Sequence, residues 1–230
     1  MKHLINGLRD GIPIAAGYLS VAFGFGILCV ESGLTPLQAW VISATNLTSA
    51  GQVAGVGVIA AGSSYIEMAL TQLVINLRYS LMGISLSQKL DDSFHTPQRL
   101  IVAHGITDEI FAAAHAQKDP LTPRYMYGLI LIAFLGWTSG TLLGAVAGEI
   151  LPRAFTEAMG IALYGMFLAV FVPAARADRG IFMVVAIAAA ASLLFYYILT
   201  VVSTGFAIIL SAILAAAVGA WLFPIADEEE

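Results

Sequence analysis

The chain has 230 residues, 59% of them hydrophobic and only 11% charged, with a net charge of -5 and a mean hydropathy of +0.88. An average soluble domain is about half apolar and about a quarter charged. So much apolar surface cannot be hidden from water in a fold of this length, which excludes a soluble globule and makes the bilayer the expected solvent.

A helix needs roughly 20 residues to cross the hydrocarbon core. Eight apolar segments are visible, near 12–30, 36–62, 64–88, 99–117, 125–148, 155–174, 180–200 and 203–224. The start, "MKHLINGLRDGIPIAAGY", puts positive charge ahead of the first segment and lacks a small-residue cleavage site, so it is read as retained. Segment one carries Gly24 and Gly26, which read as packing glycines. Segment two, "PLQAWVISATNLTSAGQVAGVGVIAAG", holds Ser43, Thr45, Asn46, Thr48, Ser49, Gly51 and Gln52 at its centre. On segment three, a helical wheel puts Tyr65, Gln72, Asn76, Tyr79 and Gly83 on one stripe and Glu67, Thr71, Arg78 and Ser85 on another. Glu67 falls near the helix start and reads as interfacial. Segment four, "RLIVAHGITDEIFAAAHAQ", holds His104, Gly105, Thr107, Asp108, Glu109 and His115. Segment five carries a glycine ladder, Gly136, Gly140, Gly144 and Gly148, which bares one helix face for close approach by another helix. That face is expected to be an internal packing seam or a seam for a partner subunit.

In lipid an open backbone has no water to bond, so irregular chain survives only against protein or a wet cavity. Segments two and four are therefore expected to be broken helices, crossing or re-entrant. The expected fold is an all-α integral membrane protein of six to eight spans. It forms a single polytopic domain over 1–230, with a short acidic tail at 226–230. Lys and Arg favour cytoplasmic loops. If both broken segments cross, Lys89, Arg99 and Arg153 lie outside; if both re-enter, only Arg153 does. The count favours re-entry, and both arrangements put the two termini in the cytoplasm.

A charge at the bilayer centre costs about 2.5–3.5 kcal/mol on insertion scales, so Arg78 needs a partner or a wet cavity. Asp108 and Glu109 are adjacent and point apart on a helix. One is expected to pair with Arg78, leaving the other to take up and release protons. His104 is a candidate relay. A pairing that only locks two helices together accounts for the same residues. Asn46 and Gln52, beside a helix break, are candidate ligands for a carboxylate or ammonium group, or caps for the broken ends. There is no phosphate-binding loop and no dinucleotide fingerprint, no metal-ligand spacing, and no nucleophile set beside a base. Catalytic residues, metal ions and cofactors are not expected, nor is enzymatic activity. The chain carries no basic stripe with interleaved aromatics, so nucleic acid is not an expected partner. The single Cys29 allows neither an internal disulfide nor a cysteine metal site.

The stretch "GLRDGIPIAAGYLSVAFGFGILCVESGLTPLQAW", then "SAGQ", "INLRYSLMGISLS" and "TDEIFA", in that order and spacing, resembles the AzlC family, the large subunits of AzlCD- or BrnFE-type branched-chain amino acid exporters. The likeness covers roughly residues 5–115, and beyond them rests on hydropathy and length. The motif positions are Gly51 and Gln52, Asn76, Leu77 and Arg78, and Thr107, Asp108 and Glu109. Tyr79 stands where many relatives have histidine, and "ATNLTSAGQV" is more polar than is usual. The resemblance implies a multi-pass protein of a prokaryotic cell membrane that works with a small AzlD-like membrane subunit. Such a protein exports leucine, isoleucine, valine or similar compounds, driven by the proton-motive force. On that reading Asn46, Gln52, Asn76 and Arg78 bind substrate, and Asp108, Glu109 and His104 handle the coupling proton. The rival expectation is a membrane scaffold with no transport of its own.

Overall fold

The computed structural model describes residues 2–152, 154, 158, 165, 168 and 171–223. Its helices are α1 (Lys2–Glu31), α2 (Pro36–Thr45), α3 (Ala50–Ala60), α4 (Tyr65–Ser87), α5 (Thr96–His104), α6 (Asp108–His115), α7 (Pro123–Gly148), α8 (Arg179–Tyr197) and α9 (Thr204–Leu222). Among the described residues the only other pairing is an isolated parallel bridge between Leu90 and Leu121. The expected segment 155–174 lies for the most part outside the described residues, as do Arg153 and the tail at 226–230.

Local chemistry sets the helix starts. Thr35 accepts from the Gln38 backbone N–H while the Gln38 side chain accepts from Thr35, a capping box with Pro36 in the first turn. Thr122 followed by Pro123 caps α7, and Asp178 caps α8 through the Ile181 N–H. Among the described residues four helices (α1, α7, α8 and α9) are long and apolar enough to cross a membrane. The 23-residue α4 has the length, but its polar stripe keeps it out of that group.

Segments two and four are both interrupted. The chain leaves helical geometry at 46–49 between α2 and α3, and at 105–107 between α5 and α6. The four pieces have 10, 11, 9 and 8 residues. At 1.5 Å per residue each is about 12–17 Å long, or about half of a 30 Å hydrocarbon core.

The chain packs into two compact units, one of residues 1–52 and 76–163, the other of residues 53–75 and 164–230. In the first, α1 and α7 lie side by side and run parallel. Near their N-termini Gly7 faces the backbone of Tyr125 and Leu129; further along Gly136 faces Ala15, Gly140 faces Leu19 and Gly144 faces Phe23; at the far end Gly148 meets Ile27 and Val30. The ladder read from segment five is thus filled by α1, which brings glycines of its own at Gly7, Gly11 and Gly26. Around this pair lies a core of Tyr18, Ala22, Met126, Leu129, Ala133 and Trp137, with Ile110 and Val102 from the broken segment.

The end of α4 meets the start of α7. Leu121 N–H donates to the Lys89 carbonyl and Asp91 N–H to the Leu121 carbonyl, at 2.8 and 3.0 Å. The Lys89 ammonium also caps the C-terminal end of α6, donating to the His115 and Gln117 carbonyls at 2.5 and 2.7 Å. Gln117 in turn reaches Asp10, near the start of α1. The N-terminal ends of α1 and α7 and the C-terminal ends of α4 and α6 therefore share one end of this unit.

In the second unit α8 packs on α9, with Val184 against Gly219. Glu67, read as interfacial from its place near a helix start, is held by a second helix start. Its side chain is 4% exposed, and its Oε1 accepts from Ser203 Oγ at 2.6 Å and Gly205 N at 2.8 Å. A carboxylate from α4 thus caps the positive N-terminal end of α9, where Ser203 makes no side-chain cap of its own.

Candidate functional site at two helix breaks

The first break is held open by Gln52. Its side-chain oxygen accepts from the N–H groups of Thr48 and Ser49 at 3.3 and 3.2 Å, and its amide donates to Ser43 Oγ at 3.1 Å. Ser43 in turn shares a 2.7 Å hydrogen bond with Thr141 on α7. Gln52 is 1% exposed, so it satisfies backbone groups that the break frees. Ser49, at φ +50°, is the non-glycine residue that takes left-handed geometry among the described residues. Asn46 ends α2 with its N–H on the Ile42 carbonyl, and its side-chain oxygen accepts from Thr48 Oγ1 at 3.0 Å. Gly51 faces the side-chain amide of Asn76 on α4, and a Cβ there would come within 2.9 Å of that amide.

The second break puts acids at a helix start. Thr107 caps α6 through the Ile110 N–H, and Asp108 and Glu109 fill the first turn, where the helix dipole favours negative charge. They point different ways. Asp108 Oδ2 pairs with Arg78 Nη1 at 3.0 Å, and the two side chains are 43% and 42% exposed. Glu109 turns toward α1, where the Tyr18 hydroxyl lies 2.5 Å from Glu109 Oε2 and 2.5 Å from Thr107 Oγ1.

Helix α4 joins the breaks. Arg78 stands near its middle, about 20 Å by helical rise from its first residue and about 14 Å from its last. Arg78 Nη2 donates to the Tyr79 hydroxyl at 3.3 Å, and that hydroxyl donates to the Thr48 carbonyl at 3.4 Å. The guanidinium also sits 5.1 Å from the Tyr79 ring centroid, a cation–π contact. One side chain thus meets break two and its neighbour meets break one. His104 brings the breaks together a second time, with its Nε2 3.4 Å from the Ala44 carbonyl. His115 stacks on Phe111 at the far end of α6.

Of the residues singled out in the sequence, Arg78 and Asp108 meet directly, Asn76 lies beside Gly51, and Gln52 and Asn46 line the first break. Glu109 and His104 flank the second break, and among the described residues neither makes an ion pair. The sequence reading missed Tyr18, the partner of Glu109. Its only signal was a hydroxyl-bearing ring in the apolar run "IAAGYLSVAF", which does not say what it faces. Among the described residues no three His, Cys, Asp or Glu side chains gather as a metal site would need. A separate polar cavity of about 610 Å³ opens at the shared end of α1 and α7, lined by Lys2, Arg9, Asp10, Asp119 and Tyr125 among others.

Span-length apolar helices, paired half-helices and an accessible ion pair at their breaks define a helical membrane protein with a polar centre. The family model described as AzlC protein matches residues 13–151, and the chain belongs to that family. It is 30% identical over 171 residues to the inner membrane protein YgaZ of Escherichia coli, covering 71% of this chain and 70% of that one. An uncharacterized membrane protein of Archaeoglobus fulgidus is 31% identical over 73% of this chain and 74% of its own. The branched-chain amino acid transport protein AzlC of Bacillus subtilis is 21% identical over 70% of this chain and 63% of its own. No solved structure matches the chain.

Proposed function

We propose that the protein is a secondary transporter that exports branched-chain or similar apolar amino acids across a prokaryotic cell membrane, as the large subunit beside a small AzlD-like partner. The observation that carries this reading is the Arg78–Asp108 pair, accessible and mid-helix, where two helix breaks adjoin. Broken helices with charged groups at their ends are how secondary transporters place substrate and coupling-ion sites. The family membership and the likeness to the branched-chain amino acid transport protein of Bacillus subtilis support the cargo.

On this reading the cargo carboxylate competes with Asp108 for Arg78, and its ammonium meets Asp108, Asn46 or Asn76. Gln52 holds the first break in shape beneath it. Aliphatic walls sort the side chain weakly, since one methylene is worth only about 1–3 kcal/mol. Asp108 and Glu109 take the coupling proton, with His104 beside the breaks as relay. A six-span arrangement fits best, in which α1, α4, α7, α8 and α9 cross and α2–α3 and α5–α6 re-enter from opposite faces. The lengths of the half-helices and the meeting of the ends of α4 and α6 with the starts of α1 and α7 support this. Both termini then lie in the cytoplasm, within one polytopic domain.

Leucine efflux driven by a pH gradient, measured in proteoliposomes holding the full chain and its partner, tests the coupling. Replacing Asp108→Asn and Glu109→Gln together is expected to cut the driven efflux by about tenfold or more, equivalent to about 1.4 kcal/mol or more in barrier height. Unchanged efflux would remove the coupling role.

A further inference from the structure

The acids at the second break are treated differently by their surroundings. Asp108 has a guanidinium. Among the described residues Glu109 has no cation and is met by a phenol from another helix. Tyr18 is 7% exposed, and its ring is fixed edge-on against Trp137 of α7 at 5.2 Å between centroids. Its hydroxyl therefore cannot follow Glu109 if α6 moves.

We infer that Tyr18 is a positioning residue for the coupling proton: it ties α6 to α1 while Glu109 is charged and lets it go when Glu109 is protonated. The inference rests on the proposed role of Glu109. The hydroxyl arithmetic supports it. A phenol has one proton, and an ionised carboxylate only accepts. With Glu109 charged, Tyr18 donates to it, and Thr107 accepts from the Ile110 N–H while its own hydroxyl proton serves the phenolic oxygen. Every donor then has an acceptor, and the bond to Glu109 is charge-assisted, about twice as strong as a neutral one. Once Glu109 is protonated the charge is gone, the phenol proton has Thr107 as an equal alternative, and the tie weakens. The proton stays on the carboxylate; Tyr18 senses it and does not carry it.

The ionisable groups around Glu109 are few. Tyr18 comes from α1 and Tyr79 from α4, Asp108 is its neighbour on α6, and Arg78 stands one step further off through its pair with Asp108. The α7 residue behind Tyr18 is Trp137, which does not titrate. Helices α1 and α7 touch backbone to backbone along the glycine seam, so they move as one body. The α5–α6 hairpin is then the part set free when the tie weakens.

The experiment compares the wild type, Tyr18→Phe and Glu109→Gln, each as the full chain with its partner, by two readouts. The first is leucine efflux across a range of pH. The second is amide hydrogen exchange over residues 108–115 at high and low pH, each rate divided by the intrinsic amide rate at that pH so that it reports opening alone. In the wild type, exchange of α6 is expected to speed up by about tenfold as pH falls, an opening easier by about 1.4 kcal/mol. Tyr18→Phe is expected to exchange fast at both pH values and to shift the midpoint of the efflux profile. Glu109→Gln is expected to exchange fast at both pH values and to flatten that profile. The inference is overturned if Tyr18→Phe keeps both the wild-type profile and the wild-type exchange. It is equally overturned if Glu109→Gln stays protected at both pH values, an arm that decides even where the tyrosine variant does not fold. If Glu109→Gln leaves the efflux profile untouched yet loses protection, the coupling role fails and the tie itself stands.

Discussion

Asp108, Glu109 and Glu67 are each matched by a specific set of donors, and the sets differ. Asp108 has a guanidinium, Glu109 a phenol, and Glu67 a serine hydroxyl and a backbone N–H at the start of α9. The last is a structural use of charge: the carboxylate offsets the positive helix end and satisfies an orphan amide. Glu67→Ala would remove the acceptor that this amide and the Ser203 hydroxyl share. The expected loss is about 1–3 kcal/mol, read as a lower melting temperature in detergent, with Glu67→Gln partly restoring it through its remaining acceptor oxygen. An unchanged melting temperature in the alanine variant would show that the cap contributes nothing.

At the scale of elements, helix pairs are joined by two kinds of contact. Breaks are joined through side chains, as Tyr79 reaches the Thr48 carbonyl and Gln52 spans its own turn. Helices α1 and α7 are joined through bare backbone, since a Cβ built on Gly144 would overlap the Phe23 carbonyl. No rotamer change relieves a clash with a main chain, so Gly144→Ala is expected to cost about 1–3 kcal/mol as overpacking does and to lower folded yield. Gly83→Ala makes a fair control, because a Cβ there meets nothing within 4 Å. Equal melting temperatures for the two variants would argue that the seam opens easily.

For the molecule as a whole, the directions of its helices carry a topological consequence. Parallel α1 and α7, with the end of α4 bridged to the start of α7, put the residues after Ser87 on the same side as the N-terminus. A cysteine placed at Asp92 in a Cys29→Ala background is therefore expected to react with an impermeant thiol reagent from the same face as a cysteine placed at His3. Labelling from opposite faces would restore the eight-span alternative and sink the re-entrant one.

The amino-acid sequence alone determined the solvent, the helical class, the places where segments two and four must break, and the need of Arg78 for a counter-charge. Those follow from composition, residue spacing and the cost of polar groups in hydrocarbon, which are local properties. The sequence also showed that Asp108 and Glu109 cannot serve one contact. Only tertiary structure decided which of them meets Arg78, that Tyr18 meets the other from 91 positions away, that Gln52 spans its own break, and that Glu67 is a buried cap. Partner choice between distant segments depends on how helices are rotated and stacked, and a helical repeat fixes which residues share a face without fixing what that face will touch.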